Sequence, residues 1–409
     1  MATRIQTASR EEGCADFAGA STAGSRHTKT PAAPAAKAPT RRKFLKTGLA
    51  GGAAATLGPW YVRKTLASSG EVNVLMWSDY LPASFIEAFQ SSTGIAVNHV
   101  GVGSNEEVIA KMTAAEGRGF DIVSPTNMRA EQWQPLQLLQ PFDMNRIDTA
   151  QVNPAMLAIG TDGWNFGGRG PHWLPHIWGT EAIAWRTDRW QPTDGKPSYG
   201  DIWQPDVAGM TMGRPHSMML GAGLYMETIG ELNPGDCWRA YESEDAMRPV
   251  WERITDWCVA RRSYIKIFWN DADTQKNGLL HEGIVVGQTW DGPPTALKNA
   301  GEPVTYQAPR EGALAWVDGM AMSVGAENID QLYAFINFCY RPEPAGKAID
   351  IHGYNSAVLG ADTYASESYN KNMADAYPDE ALKNLNPWPV EPQWYADVRA
   401  EYRNRFINA

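Results

Sequence analysis

Several short segments of this 409-residue chain place a tryptophan next to, or two residues from, an aspartate. Three of them are Trp77-Ser78-Asp79-Tyr80, Trp290-Asp291 and Trp316-Val317-Asp318. Burying an alkylammonium ion is costly unless carboxylates balance its charge and accept its hydrogen bonds. An aromatic face over the cation contributes a further stabilisation of about 0.5–2 kcal/mol, which increases as the cation is removed from water. Segments that combine these residue types could therefore bind an organic cation.

Each of these residues also has an ordinary structural explanation. A tryptophan at the end of a strand more often packs in the core, because its side chain buries a large apolar area. An isolated aspartate after a strand is usually a turn or helix-cap residue. The 17 tryptophans of the chain leave the same choice open between core packing and an aromatic ligand site. Packing alone explains the repeated pairs Trp290-Asp291 and Trp316-Val317-Asp318 less easily.

The elements around the first segment alternate between strand and helix. They are a strand over 72–77, a helix over 84–92, a strand over 95–100, a helix that begins with the capping box of Ser104 and Glu107, and a strand over 120–124. This alternation predicts parallel pairing in an α/β sheet. Such folds bind ligands in loops beyond the carboxyl ends of their strands, and Trp77 lies at the start of such a loop.

Two long apolar segments, 174–185 and 313–323, are predicted to be extended. A second block of helices and strands lies between them, and a helix over 330–340 follows the second segment. Two α/β blocks joined by long extended segments are typical of a hinged protein of two domains.

The first 67 residues differ from the rest of the chain. Residues 1–39 are rich in Ala, Ser, Thr and Pro and are predicted to be disordered. Arg41 and Arg42, followed by Lys-Phe-Leu, precede a short Gly/Ala-rich run that ends in small residues at Ala67. This pattern predicts a twin-arginine signal over 40–67 and export to the periplasm. The run is too short and too weakly apolar for stable membrane insertion.

Charge and composition exclude several classes of partner. Residues 68–409 carry 25 Lys and Arg against 43 Asp and Glu, a formal net charge of −18. Such a body repels nucleic acid and anionic membrane surfaces, and it suits a neutral or cationic ligand. Cys237, Cys258 and Cys339 remain beyond the signal, so at least one thiol is free and a Cys237–Cys258 pair stays open. No metal-ligand spacing or cofactor motif occurs, so we expect neither a metal nor a cofactor.

The order of several segments resembles the periplasmic spermidine/putrescine-binding proteins, the bacterial type 1 family of extracellular solute-binding proteins. The segments are 77–80, 93–95, 119–123, 175–180, 287–292, 311–318, 337–342 and 353–354, so that the resemblance extends from Val72 to Tyr364. It implies an α/β two-lobed periplasmic-binding-protein type II fold with two hinge-crossing segments. One lobe would comprise 71–178 plus 314–363, and the other 179–313 plus 364–409. A protein of this family acts as a monomer that delivers solute to the membrane permease of an ABC importer, without catalysis.

The resemblance also implies which residues bind the ligand, a polyamine like putrescine or spermidine. The aromatic walls would be Trp77, Tyr80, Trp290 and Trp316, and the ammonium partners would be Asp79, Asp291 and Asp318. Ser78, Thr126 and Tyr354 would complete the site.

One departure from the family leaves the ligand open. The family holds the far amine with acids of the second lobe, whereas segment 213–220 has no acid and contains Arg214 and His216. Glu227 could substitute for the missing acids. If Arg214 faces the cleft, a ligand carboxylate could lie where the second amine would be, which favours a zwitterion such as 4-aminobutyrate, or a monoamine. The alternative for Arg214 is an exposed surface position.

A third hypothesis, from a different class, is a periplasmic enzyme built on the same scaffold. The sequence offers it neither a nucleophile–base set nor a metal site. Capture of a polyamine or a related small organic amine is therefore the leading prediction, and an amino acid such as 4-aminobutyrate, or a monoamine, is the alternative.

Overall fold

The computed structural model describes residues 70–409. The predicted disordered segment over 1–39 and the predicted twin-arginine signal over 40–67 lie outside the described residues. Within 70–409, no helix combines the length and the apolar character needed to cross a membrane.

Strands and helices alternate along most of the described chain. The strands are β1 Glu71–Trp77, β2 Ala96–Val102, β3 Ile122–Val123, β4 Leu139–Gln140, β5 Trp173–Arg186, β6 Thr211–Gly213, β7 Ile265–Phe268, β8 Val286–Trp290, β9 Val304–Gln307, β10 Leu314–Ser323, β11 Asn355–Ser356 and β12 Asn386–Pro387. The α-helices are α1 Ala83–Thr93, α2 Asn105–Ala114, α3 Ala130–Trp133, α4 Pro154–Gly163, α5 Pro215–Thr228, α6 Asp236–Arg239, α7 Glu244–Val259, α8 Ala272–Leu280, α9 Gly292–Asn299, α10 Ile329–Cys339, α11 Pro342–His352, α12 Glu367–Ala376 and α13 Gln393–Ile407.

The first elements confirm the predicted alternation, and local residues explain their ends. Gly94 ends α1 in the left-handed conformation (φ 73°), which glycine adopts without strain. Ser104 begins α2, because its side chain accepts a hydrogen bond from the backbone N–H of Glu107. The carboxylate of Glu107 bonds the N–H of Gly103 instead of that of Ser104, so only half of the predicted capping box forms.

The main sheet runs in the order β2-β1-β3-β10-β5-β8-β6-β7. At one end, β2, β1 and β3 are parallel, and at the other β8, β6 and β7 are parallel. The antiparallel pair of β10 and β5 joins these two parts. The two predicted α/β blocks are therefore present, and the two predicted extended segments are the long strands between them.

The register of β10 on β5 fixes where the third tryptophan–aspartate segment points. Trp316 lies opposite Gly179, and Asp318 lies opposite Ile177, next to an irregularity in the pairing. Because strand side chains alternate, Trp316 and Asp318 project from the same face. A Cβ atom at Gly179 would lie only 2.6 Å from the Trp316 ring, so a glycine there makes room for the indole.

The C-terminal tail returns to the middle of the molecule. β12 pairs with β10, and the N–H of Trp388 donates to the carbonyl of Ala315. The N–H of Glu391 donates to the carbonyl of Met128. α13 then packs against α5 and α7. The tail thus brings residues from the far end of the sequence next to the β10 strand.

The three cysteines within 70–409 are buried and free, so the Cys237–Cys258 pair that the sequence left open is not formed. Burial raises the pKa of each thiol, including that of Cys339. These side chains therefore serve as small apolar residues of the core. Across the same residues, no group of three or more His, Cys, Asp or Glu side chains is arranged to hold a metal ion.

Candidate functional site

A cavity of about 520 Å³ lies beside the β5–β10 pair. It is lined by Trp77, Asp79, Tyr80, Asn105, Thr126, Met128, Arg129, Glu181, Arg214, His216, Trp290, Trp316, Asp318, Tyr354, Trp388 and Glu391. The structure therefore brings together eight of the ten residues predicted to bind the ligand, and it places Arg214 beside them.

Aromatic rings form one part of the cavity wall. Trp77 meets Trp290 edge to face with ring centroids 5.8 Å apart. Tyr80 stacks parallel to Trp316 at 6.5 Å, and Tyr354 lies edge-on to Tyr80 at 5.3 Å. These are the favourable geometries for aromatic pairs, and they hold the rings at fixed angles around the space that they enclose.

Asp318 is the carboxyl group most enclosed by this aromatic wall. It is 3% exposed, and the hydroxyl of Tyr80 donates a hydrogen bond to its Oδ2. Its Oδ1 is buried and has no partner among the described residues. Burial raises the pKa of Asp318 to about 7 and also raises the pKa of the half-buried Asp79. Both groups would be stabilised as carboxylates by a cation in the cavity.

Glu181 adds a carboxyl group that the sequence did not predict. It lies on β5, is 2% exposed, and its Oε1 accepts a hydrogen bond from Gln288 Nε2 at 2.9 Å. Burial raises its pKa to about 7. Glu227, the substitute that the sequence allowed, lies elsewhere and accepts hydrogen bonds from the N–H groups of Gly235 and Cys237. Glu181 of β5, and not Glu227, is therefore the additional acid that lines the cavity.

Arg214 is buried, so the alternative of a surface position is wrong. It precedes α5, and its guanidinium carbon lies 5.5 Å from the centre of the Trp290 ring. Burial lowers its pKa from the ordinary value for arginine. His216, two residues further along, is half-buried beside Trp388, and burial lowers its pKa well below 6.5, so it is neutral.

Ser78 and Asp291 are the two predicted residues that the structure does not bring to the cavity. Ser78 is exposed. Asp291 is fully buried outside the lining, where its Oδ2 accepts hydrogen bonds from the Tyr377 hydroxyl at 2.9 Å and from Asn355 Nδ2 at 3.1 Å. Each residue directly follows a strand-end tryptophan that lines the cavity, and the chain turns at that point: Ser78 lies in the turn after β1, and Asp291 has helical backbone angles (φ −73°, ψ −34°) at the start of α9. The side chain after each tryptophan therefore leaves the direction set by the strand.

Two residues of the C-terminal tail, Trp388 and Glu391, line the cavity without having been predicted. The resemblance on which the prediction rested ends at Tyr364, before this tail. A signal was nevertheless present in the sequence, because Trp388 and Glu391 again combine an aromatic residue with an acid three positions away.

Arg129 and Glu391, which also line the cavity, belong to a group of ion pairs whose members are buried except for Glu106. Glu391 contacts Arg129 Nη1 at 3.0 Å and Arg399 Nη2 at 3.2 Å. Glu106 contacts the same two arginines at 3.0 and 3.5 Å. This ion cluster, defined as Glu106, Arg129, Glu391 and Arg399, connects α2 and the segment after β3 with the C-terminal tail.

A two-block α/β fold that encloses an aromatic and charged cavity is the architecture of a solute-binding protein. The match of residues 84–376 to the model of the bacterial extracellular solute-binding proteins shows that this chain belongs to that family.

Known relatives agree with this assignment. The chain is 24% identical over 329 residues to the spermidine/putrescine-binding periplasmic protein of Escherichia coli K12, covering 79% of this chain and 86% of the relative. It is 24% identical over 356 residues to the putrescine-binding periplasmic protein of the same organism, covering 84% and 92%. The structure of a putative spermidine/putrescine ABC transporter from Listeria monocytogenes superimposes with a TM-score of 0.68 at 21% identity, covering 83% of this chain and 99% of that one. The predicted family and the predicted type II fold are confirmed.

Proposed function

We propose that this chain is the solute-binding component of a bacterial ABC importer and that it captures a small organic amine of the polyamine class or closely related to it. The observation that carries the proposal is a single cavity in which three carboxyl groups that pair with no arginine or lysine of the described residues, Asp79, Glu181 and Asp318, lie beside an aromatic wall. Buried ammonium groups need such carboxylates and gain from aromatic faces. The relatives named above bind spermidine and putrescine. Capture and release to the permease involve no chemical reaction.

The proposal includes two lobes that close on the ligand, comprising 71–178 plus 314–363 and 179–313 plus 364–409. The long strands β5 and β10 would be the crossing segments. Asp79 and Asp318 would then belong to one lobe, and Glu181 and Trp290 to the other, so that a ligand touching all four holds the lobes together. Export through the twin-arginine route to the periplasm fits the arginine pair Arg41-Arg42 and the extracellular character of the family.

Isothermal titration calorimetry with putrescine, spermidine and 4-aminobutyrate tests the proposal. We expect saturable binding of at least one of these amines to one site per chain. Succinate, which has the length of putrescine but no amine, is the matched negative control. If none of the amines binds at concentrations up to the millimolar range, amine capture is wrong.

Amine affinity is expected to rise with pH between about pH 5.5 and pH 8. The pKa values of Asp318 and Glu181 are raised to about 7 in the ligand-free protein, so both groups are largely protonated at the lower end of this range. An ammonium ion binds the ionised forms, so at lower pH it must first displace these protons. The affinity should fall by up to about tenfold per pH unit for each such group below its pKa.

Titration at several pH values, repeated in buffers of different ionisation enthalpy, measures both the affinity and the number of protons released. Release of protons on binding near pH 6.5 is the expected result. An affinity that does not change over this range would contradict the assignment of these two carboxyl groups to the ammonium.

A further inference from the structure

Arg214 differs from every other buried arginine of the described chain. It is 9% exposed and forms no ion pair and no side-chain hydrogen bond with any residue of 70–409. Arg129 and Arg399 each contact the carboxylate of Glu391, and Arg186 contacts Asp188 at 2.8 Å. The fold therefore pairs its buried guanidinium groups with carboxylates, and the exception is the one that lines the cavity.

The acids that share the cavity with Arg214 do not neutralise it by direct contact. Glu181 and Asp318 lie close enough to Arg214 for its positive charge to act against the rise of their pKa values, but neither forms an ion pair with it. Glu181 is held by Gln288, and Asp318 by the hydroxyl of Tyr80. The N–H donors of the guanidinium are consequently free to bind a ligand.

A diamine or polyamine cannot use these donors. Its ammonium groups carry only hydrogen-bond donors and a positive charge, as does the guanidinium of Arg214, so the two would repel each other without forming a bond. A carboxylate is the opposite case. It accepts two parallel hydrogen bonds from one guanidinium, and the charges of the pair attract.

A second feature of the structure gives the same side of the cavity a positive character. Arg129, Arg214 and His216 also line a neighbouring cavity of about 1520 Å³. Its charged residues are the arginines 129, 214, 399 and 403 and the acids Glu106 and Asp397, so positive charge prevails. Arg403 is exposed and forms no ion pair within the described part of the chain. A cavity lined in this way attracts anionic groups to the side of Arg214, while Asp79 and Asp318 lie at the aromatic wall.

We propose that the amine bound by this protein also carries a carboxylate, which Arg214 binds, while Asp79 and Asp318 bind its ammonium group. The ligand would then be an ω-amino acid rather than a diamine. This inference rests on the proposed function of amine capture and narrows it to one class of ligand.

The test compares ligands that differ only at one end. Putrescine is titrated against 4-aminobutyrate, and 1,5-diaminopentane against 5-aminopentanoate, with the wild-type protein and with the Arg214→Met and Arg214→Lys variants. In the wild type, we expect the amino acid to bind at least about tenfold more tightly than the diamine for the chain length that fits. In Arg214→Met, the amino acid should lose about 100-fold in affinity, while the diamine binds as well as before or more tightly. Arg214→Lys should keep the preference with a smaller loss, because lysine retains the charge but not the paired hydrogen bonds.

Thermal unfolding without ligand shows whether the variants fold. Because Arg214 forms no ion pair and no side-chain hydrogen bond within 70–409, Arg214→Met should melt at the same temperature as the wild type or higher. Binding of the diamine at least as tightly as the amino acid, together with unchanged amino-acid affinity in Arg214→Met, would overturn the inference and leave amine capture intact. Failure of both ligand classes to bind would overturn amine capture itself, and the inference with it.

Discussion

Replacing Asp318 by asparagine is expected to weaken amine binding about 100-fold or more. The change keeps the shape of the side chain and its contact with Tyr80, but it removes the charge that faces the cavity. Removing one partner of a buried ion pair costs about 3–5 kcal/mol, because the other charge stays desolvated without compensation. Isothermal titration of the wild type and the variant with the same amine at about pH 8, above the raised pKa of the carboxyl group, measures the loss.

Two further variants separate the effect of the cavity from that of charge alone. Asp162, an exposed residue of α4, is the matched control, and Asp162→Asn should change the affinity by less than about twofold.

Asp291→Asn tests whether Asp291 binds the ligand, as the family resemblance implies, or lies outside the cavity, as in the structure. Asp291 accepts hydrogen bonds from Tyr377 and Asn355 outside the cavity. This variant should therefore lower the melting temperature but change the affinity for the amine little. Equal losses of affinity in Asp291→Asn and Asp318→Asn would contradict the geometry of the site.

The sequence predicted the parts of the fold that depend on local pattern. The alternation from β1 to α2 was readable because turn, cap and apolar residues close in sequence decide it, as Gly94 and Ser104 show. Trp316 and Asp318 were found together for a similar reason. They stand two residues apart on one strand, so that any strand brings them to the same face.

The remaining site residues depend on contacts between distant parts of the chain. Whether Asp291 faces the cavity depends on which side of the sheet Trp290 occupies, which the sequence around it does not determine. Glu181 and Arg214 meet only because β5 and the loop after β6 are brought together by β8. Trp388 and Glu391 reach the cavity through a tail that pairs with β10, more than sixty residues earlier in the chain.

The roles of the tryptophans also could not be assigned from the sequence alone. Composition left open whether they serve the core or a ligand site, and the structure shows both uses. Trp77, Trp290, Trp316 and Trp388 line the cavity, whereas Trp133, Trp164, Trp173, Trp251 and Trp269 are almost completely buried. An identical side chain serves two purposes, so residue type alone could not assign it.

Replacing Glu391 by glutamine is expected to destabilise the protein by about 3 kcal/mol or more. Glu391 is 1% exposed and is shared by Arg129 and Arg399, two arginines that are themselves buried. Glutamine has nearly the same volume, but it is neutral and leaves these guanidinium groups with Glu106, whose side chain is largely exposed, as their remaining carboxylate partner among the described residues. Equilibrium unfolding in urea, without ligand, measures the free energy of unfolding.

Glu401→Gln is the matched control for this prediction. Glu401 forms an ion pair with Arg248 at 3.0 Å, but both side chains are exposed to solvent, so the same chemical change should cost less than about 1 kcal/mol. The charge removed and the residue introduced are the same in both variants, and the partners are arginines in both, so the comparison contrasts a buried carboxylate shared by two arginines with an exposed carboxylate paired with one. Equal losses of stability in the two variants would show that the ion cluster contributes no more than a surface pair. A large loss only in Glu391→Gln would show that the tail holds the wall of the cavity by charge.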